Sequence, residues 1–272
     1  MPLLATVFFF AQICYHIKAI ILNKGKFMSE FIKEKISDNY FLYRTKEHTF
    51  GTDAFLLADF AKPKHKSKVI DLGTGCGIIP FLILERYEPL ELFALEIQNQ
   101  AYNQFKRSIE ENHIEDKIKL ISGDLREIEK HFEREYFDVL TMNPPYFKQG
   151  HGRISENKDK ALARHDFECT TEDLAKASDY LLKNKGEAYF VQRIERLAEY
   201  IYTFKKYNFE AKTLRLVQSK KDSEPILFLI EFKKQARPNL KVLPNLVLRD
   251  ENNNQSEELI KILGDYNNSP AS

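Results

Sequence analysis

The sequence predicts an α/β fold: a mostly parallel sheet of seven strands, with helices on both faces and an antiparallel strand pair at its C-terminal end. Three observations predict it. From Lys68 onward, short apolar runs alternate with helical segments, the pattern of parallel strands joined by crossover helices. The last two apolar runs, 211–217 and 226–232, have only a basic turn between them, so they must pair antiparallel. The segments richest in chemistry, 71–77, Glu96 and 143–146, each follow a strand, where ligands of such sheets bind.

Taken in order, Tyr40-Phe41-Leu42-Tyr43 reads as a short strand. Residues 52–61 read as a helix with Phe55, Leu56 and Phe60 toward a core; Pro63 and the lysines at 62, 64, 66 and 68 end it. Strands are expected at 69–72, 91–96, 117–121, 137–142 and 186–192. Helices are expected at 78–86, with Pro80 tolerated in the first turn, and at 98–112, 126–132, 171–182 and 196–207. A polar loop fills 147–169.

A chain of 272 residues with 43% hydrophobic content can bury one sizeable core with small extensions. Four parts are expected: an extension over 1–27, a cap segment over 28–66, a catalytic domain over 67–235 and a tail over 236–272. The run Leu3 to Leu22 is apolar but carries Gln12, His16 and Lys18, a poor membrane span without the marks of a signal peptide. Met28-Ser29-Glu30 then opens an ordinary polar sequence, so Met28 is read as the functional start, with an anchor or a packed N-terminal helix as the alternatives. The membrane is not expected as a partner.

The formal net charge of +1 points to no partner, but local charge does. Lys212, Arg215, Lys220 and Lys221 share one acid-free stretch, and Lys233, Lys234, Arg237, Lys241 and Arg249 another. Each is either a phosphate-contacting surface or a solvated face. Cys14, Cys76 and Cys169 have no paired spacing, which predicts a reducing, cytoplasmic setting without disulfides. The histidines show no ligand spacing, so no metal site is expected.

Asp71-Leu72-Gly73-Thr74-Gly75-Cys76-Gly77 leads from a strand into a helix. Glycines there permit a tight turn and close approach of a ligand to the backbone. A triplet alone also suits a dinucleotide, but Asp71 would repel a pyrophosphate. S-adenosyl-L-methionine carries an ammonium and a sulfonium, which a carboxylate favours. Glu96, ending the next strand, is placed for both ribose hydroxyls, and Asp124, ending the third, for the adenine amino group. Cys76 reads as a small loop filler.

Asn143-Pro144-Pro145-Tyr146 carries the most specific chemistry. An exocyclic amine on a base is a poor nucleophile because its lone pair is delocalised into the ring. The Asn143 side-chain carbonyl and the Pro144 backbone carbonyl can each accept one amine hydrogen, localising that pair. Pro144 and Pro145 fix the backbone so that both acceptors converge, and Tyr146 can stack on the base. In-line positioning then supplies most of the catalysis, with no general base before transfer.

On these motifs, together with His48-Thr49-Phe50-Gly51-Thr52-Asp53, the continuation Phe147-Lys148-Gln149-Gly150, Ala163-Arg164-His165 and Lys241-Val242-Leu243-Pro244, the chain resembles the bacterial tRNA1(Val) adenine-N6 methyltransferases from about Phe41 to Leu263. The resemblance implies a Rossmann-like class I methyltransferase fold and transfer from S-adenosyl-L-methionine to an adenine N6 in tRNA, at the nucleotide 3′ of the anticodon. It implies a tRNA anticodon stem-loop as partner and a monomeric enzyme. It assigns cofactor contacts to Asp71, Gly73, Gly75, Gly77, Glu96 and Asp124, with Thr74 of the same loop a further candidate, and the target amine to Asn143 through Tyr146. Thr52-Asp53 would close over the methionine end, or simply cap a helix. Glutamine-N5 methyltransferases of release factors share the Asn-Pro-Pro-Tyr motif but carry a longer helical N-terminal region. Guanine-N2 methyltransferases of ribosomal RNA favour Phe where Tyr146 stands. An RNA-binding assembly factor without turnover is the reading from another class.

Overall fold

The computed structural model describes residues 31–45, 48–87, 91–146 and 169–268. The segments 1–30 and 147–168 lie outside the described residues, the second with Lys148, Arg153, Lys158, Lys160 and Arg164, which the sequence leads one to expect near tRNA phosphates; so does the question of where the functional chain starts.

A hairpin opens the described chain: β1 (Ile32–Lys35) pairs antiparallel with β2 (Phe41–Arg44), and α1 (Thr52–Phe60) follows. The alternation then begins: β3 (Lys68–Leu72), α2 (Ile78–Arg86), β4 (Glu91–Glu96), α3 (Asn99–Glu111), β5 (Ile118–Ser122), a 3-10 turn at Leu125–Lys130, and β6 (Phe137–Met142). Next come α4 (Thr171–Leu181), β7 (Leu182–Arg193), α5 (Leu197–Lys206), β8 (Phe209–Gln218) and β9 (Pro225–Lys234). These seven strands stand in the order β8-β9-β7-β6-β3-β4-β5. Only β9 runs antiparallel to its neighbours, as the helix-free link before it requires.

The central strands β3, β4 and β6 are buried on both faces, which explains their near-continuous apolar runs. Side chains alternate between the faces. Val69, Val139, Tyr189 and Val191 meet α1, α2 and α3 in one core. Ile70, Leu140, Met142 and Phe190 meet α4 and α5 in the other. Asp71 and Thr141 fall in register opposite one another.

Four differences from the sequence expectation stand out. Ile32-Lys33-Glu34-Lys35 forms a strand although it is polar; its side chains are mostly exposed and have no apolar alternation to betray them. The short helix expected at 126–132 is a 3-10 turn. The expected tail joins the sheet: β10 (Lys241–Val242) and β11 (Leu246–Val247) pair parallel with β8, and α6 (Glu257–Leu263) places Leu259 and Ile262 in the core. Part of the basic stretch 233–249 is engaged inside the fold. Lys234 is 1% exposed and ion-paired with Glu135 and Asp179, while Lys233 pairs with Glu187. Burial of an unpaired ammonium would be costly, and these carboxylates prevent it.

Candidate active site

At the carboxyl edge of the sheet the glycine loop leaves β3. Gly73, Gly75 and Gly77 all have positive φ, the region only glycine enters freely, but they serve different ends. A Cβ on Gly75 would meet nothing within 4 Å, so the loop's inner face is open there. A Cβ on Gly77 would lie 2.2 Å from the Phe105 ring. Gly77 is the N-cap of α2 and lets that helix pack on α3; it is not among the residues lining the site cavities.

Two cavities of about 240 Å³ each flank this loop. Gly73, Gly75, Asn143 and Pro145 are walls of both. The first is completed by Thr49, Phe50, Asp53, Thr74, Pro144 and Tyr146. The second is completed by Glu96, Gln98, Asp124, Arg126, Met142 and Cys169. The expected residues therefore gather at one place, except Gly77, Thr52 and Asp71, none of which lines either cavity. Thr52 is the exposed first residue of α1, behind the Gly51 N-cap, and lines neither cavity.

Asp71 is fully buried beneath the loop. Its Oδ1 accepts a 2.7 Å hydrogen bond from the Thr141 hydroxyl, while Oδ2 and the nearby Thr74 hydroxyl are buried without a partner. Desolvation pushes the Asp71 carboxyl up to about 7, against the hydrogen bond from the Thr141 hydroxyl. Glu96 is 3% exposed; its two oxygens accept the backbone N–H groups of Gly75, at 2.7 Å, and Gln98, at 2.8 Å. It thus ties the glycine loop to the end of β4 and still lines the cavity. A carboxylate oxygen has two lone pairs, so one acceptor site on each oxygen is left for a diol.

Asp124 caps the 3-10 turn and accepts from Arg126 through the backbone N–H, Nε and the guanidinium. Burial works against its charge, but these bonds hold the carboxyl below its usual range. Arg126 is a wall residue that no motif in the chain announces, and Thr141, beneath the loop, is equally silent in the sequence. Burial pushes the Cys76 thiol up to about 12, which leaves no thiolate for nucleophilic chemistry.

Beyond the loop, Asn143 continues β6 with Pro144 buried and Pro145 exposed. Tyr146 is 37% exposed, and its hydroxyl donates to Asp53 Oδ2. Burial of the phenol and the neighbouring Asp53 charge raise the Tyr146 pKa.

The basic turn between β8 and β9 opens on the same edge, because Gln218 pairs with Pro225 and Arg193, at the end of β7, with Leu227. A crevice of about 820 Å³ there is lined by Lys220, Lys221 and Arg249 together with Asp222, Asp250 and Glu251. At about 4.8 Å per strand, β8 stands roughly 15 Å from β6. Arg215, by contrast, is held by Glu258 and the Pro244 carbonyl. Among the described residues no helix is long and apolar enough to cross a membrane.

Residues 42–213 match the family model described as methyltransferase small domain. A tRNA1(Val) (adenine(37)-N6)-methyltransferase of Histophilus somni is 31% identical over 217 residues, covering 79% of this chain and 89% of that protein. The protein of the same name from Haemophilus influenzae strain PittGG is 28% identical, covering 79% of this chain and 90% of its own length. Among solved structures, a predicted O-methyltransferase from Agrobacterium tumefaciens superposes with a TM-score of 0.64 at 20% identity, over 79% of this chain and 95% of that one. This last likeness speaks to the fold alone.

Proposed function

The chain belongs to the methyltransferase small-domain family, in the branch of the tRNA1(Val) (adenine(37)-N6)-methyltransferases, and from that premise we propose that it methylates the exocyclic N6 of adenine 37 in tRNA1(Val), using S-adenosyl-L-methionine. One observation carries the reading. Asn143 forms a wall common to the cavity beside Glu96 and the cavity beside Tyr146, so a methyl donor and an acceptor amine would meet at its side chain.

The residues fit the cofactor. The buried, unpartnered Asp71 Oδ2 lies below a glycine loop whose inner face is open at Gly75, a setting for an ammonium. Glu96 has acceptor capacity for a diol, and Asp124 with Arg126 borders the base end of that cavity. S-adenosyl-L-methionine supplies an electrophilic methyl group on sulfur. Asn143 and Pro144 accept the two amine hydrogens and turn the nitrogen lone pair out of the ring. Tyr146 provides a face for the base, a contact worth about 1–3 kcal/mol in single-strand binders. Unpaired anticodon-loop bases cost less to extrude than duplex ones. Positioning does the rest. We read the enzyme as a cytoplasmic monomer.

The test is mass spectrometry of nucleosides from unmodified tRNA incubated with the enzyme and labelled cofactor. N6-methyladenosine at position 37 is expected. Label on guanine N2, or on a release-factor glutamine and not on tRNA, would overturn the assignment.

A further inference from the structure

The cap segment and the target motif are joined by one side-chain bond across 93 residues of sequence: the Tyr146 hydroxyl donates to Asp53 Oδ2. Asp53 is itself fixed, since its Oδ1 accepts the Ala54 backbone N–H at 2.9 Å in the first turn of α1. The acidic side chain there also suits the helix N-terminus. Ala54 and Phe50 line the cavity beside the glycine loop, and Phe55, behind them, packs against Phe50 and Tyr266. Gly73 and Gly75 are walls of this cavity and of the one beside Glu96, so a ligand that extends from Glu96 across the glycine loop would abut the element that carries Asp53. Tyr146 is more than a third exposed, and this bond ties its hydroxyl to the first turn of α1.

We propose that Asp53 is a positioning residue that couples occupancy of the glycine-loop cavity to the base platform: a filled cavity steadies α1, and Asp53 holds the Tyr146 ring ready for stacking. A ring already fixed loses less rotamer freedom when a base arrives, so affinity for the acceptor rises without a new contact to it. By linkage the acceptor tightens the cavity's ligand by the same factor, roughly fivefold. The acceptor's identity rests on the function proposed above; the coupling of Asp53 to Tyr146 does not.

Two measurements on the full chain test it, with S-adenosylhomocysteine as the cavity ligand. In the first, Tyr146 is replaced by 3-fluorotyrosine and its fluorine resonance is followed. The ligand should shift and narrow the resonance, and Asp53→Ala should leave it broad with or without ligand. In the second, tRNA affinity is measured with and without ligand. The wild type should gain roughly fivefold. Tyr146→Phe, which keeps the ring, should gain close to none, and Asp53→Asn, whose amide oxygen still accepts from the phenol, should keep most of the gain. A fluorine signal indifferent to ligand, or Tyr146→Phe with wild-type coupling, overturns the proposal. A ligand-responsive fluorine signal with no tRNA binding would instead sink the RNA reading and leave the coupling standing.

Discussion

Thr141 and Asp71 face each other across β6 and β3, and the hydroxyl of the first donates to one oxygen of the second while the other oxygen is buried without a partner. Burial holds the carboxyl near neutrality, up to about 7. The folded value lies above the ordinary 3.8, so the folded state keeps a proton that the unfolded state has released. The contribution of Asp71 to stability without ligand is then greatest below about pH 4, falls as pH rises toward 7 and levels off above. A cationic ligand reverses the preference and favours the ionised form. Affinity for S-adenosylhomocysteine should therefore climb from about pH 6 to 8, by up to about tenfold per unit below the midpoint. Asp71→Asn should abolish that slope. A calorimetric titration series that is flat in the wild type would reject the carboxylate as the ammonium partner.

Asn143→Ala and Glu96→Ala should fail in opposite ways. Removing the amide acceptor should cut turnover by roughly a hundredfold or more while cofactor affinity changes only a few-fold. Removing the Glu96 carboxylate frees the Gly75 and Gln98 N–H groups and deletes an interaction made before and during transfer. KM for the cofactor should rise by about tenfold or more while turnover at saturation stays within a few-fold. Steady-state kinetics with both substrates varied would distinguish the patterns; Asn143→Ala with near-normal turnover would end the target-amine assignment.

The glycines offer a cleaner contrast. Gly75→Ala adds a methyl where nothing stands within 4 Å. Its cost to the fold should be only the backbone strain of about 1–2 kcal/mol, but ligand affinity should drop by about tenfold or more. Gly77→Ala drives a methyl into Phe105 and should cost a further ~1–3 kcal/mol of stability. Thermal melts beside ligand titrations would show it, and equal decreases in stability would contradict the division of labour.

Much of this site was legible because its parts are contiguous. Asp71 to Gly77 and Asn143 to Tyr146 are short strings whose chemistry needs no knowledge of pairing, and strand alternation placed both at one edge. Thr141 was not legible, since its meaning depends on the register of β3 against β6. Asp53 and Tyr146 read as two separate features because only the fold joins them. Gly77 resembles its neighbours until Phe105 comes to stand over it. Lys234 reads as surface charge, and its carboxylate partners lie on other elements. β10 and β11, two residues each, are too short to leave a pattern.

Lys220 and Lys221 form no ion pair among the described residues and line the crevice on the catalytic edge. If tRNA phosphates meet them, affinity should fall linearly with salt on logarithmic axes. Lys220→Ala with Lys221→Ala should flatten that slope by about 0.7–0.9 for each phosphate left without its lysine, with S-adenosylhomocysteine affinity unchanged. Wild-type slope in the double variant would show these lysines to be a solvated face.

Tyr266 packs its ring on Phe50 and Phe55 and donates its hydroxyl to Glu34. Residues synthesised near the end of the described chain thus brace residues synthesised near its beginning. Phe50 and Phe55 already pack on each other in the α1 wall, and Tyr266 closes that aromatic cluster from the far end of the described chain. The aromatic brace of that wall is thus completed by the chain's late residues, after the strands that carry the glycine loop and the target motif have been synthesised.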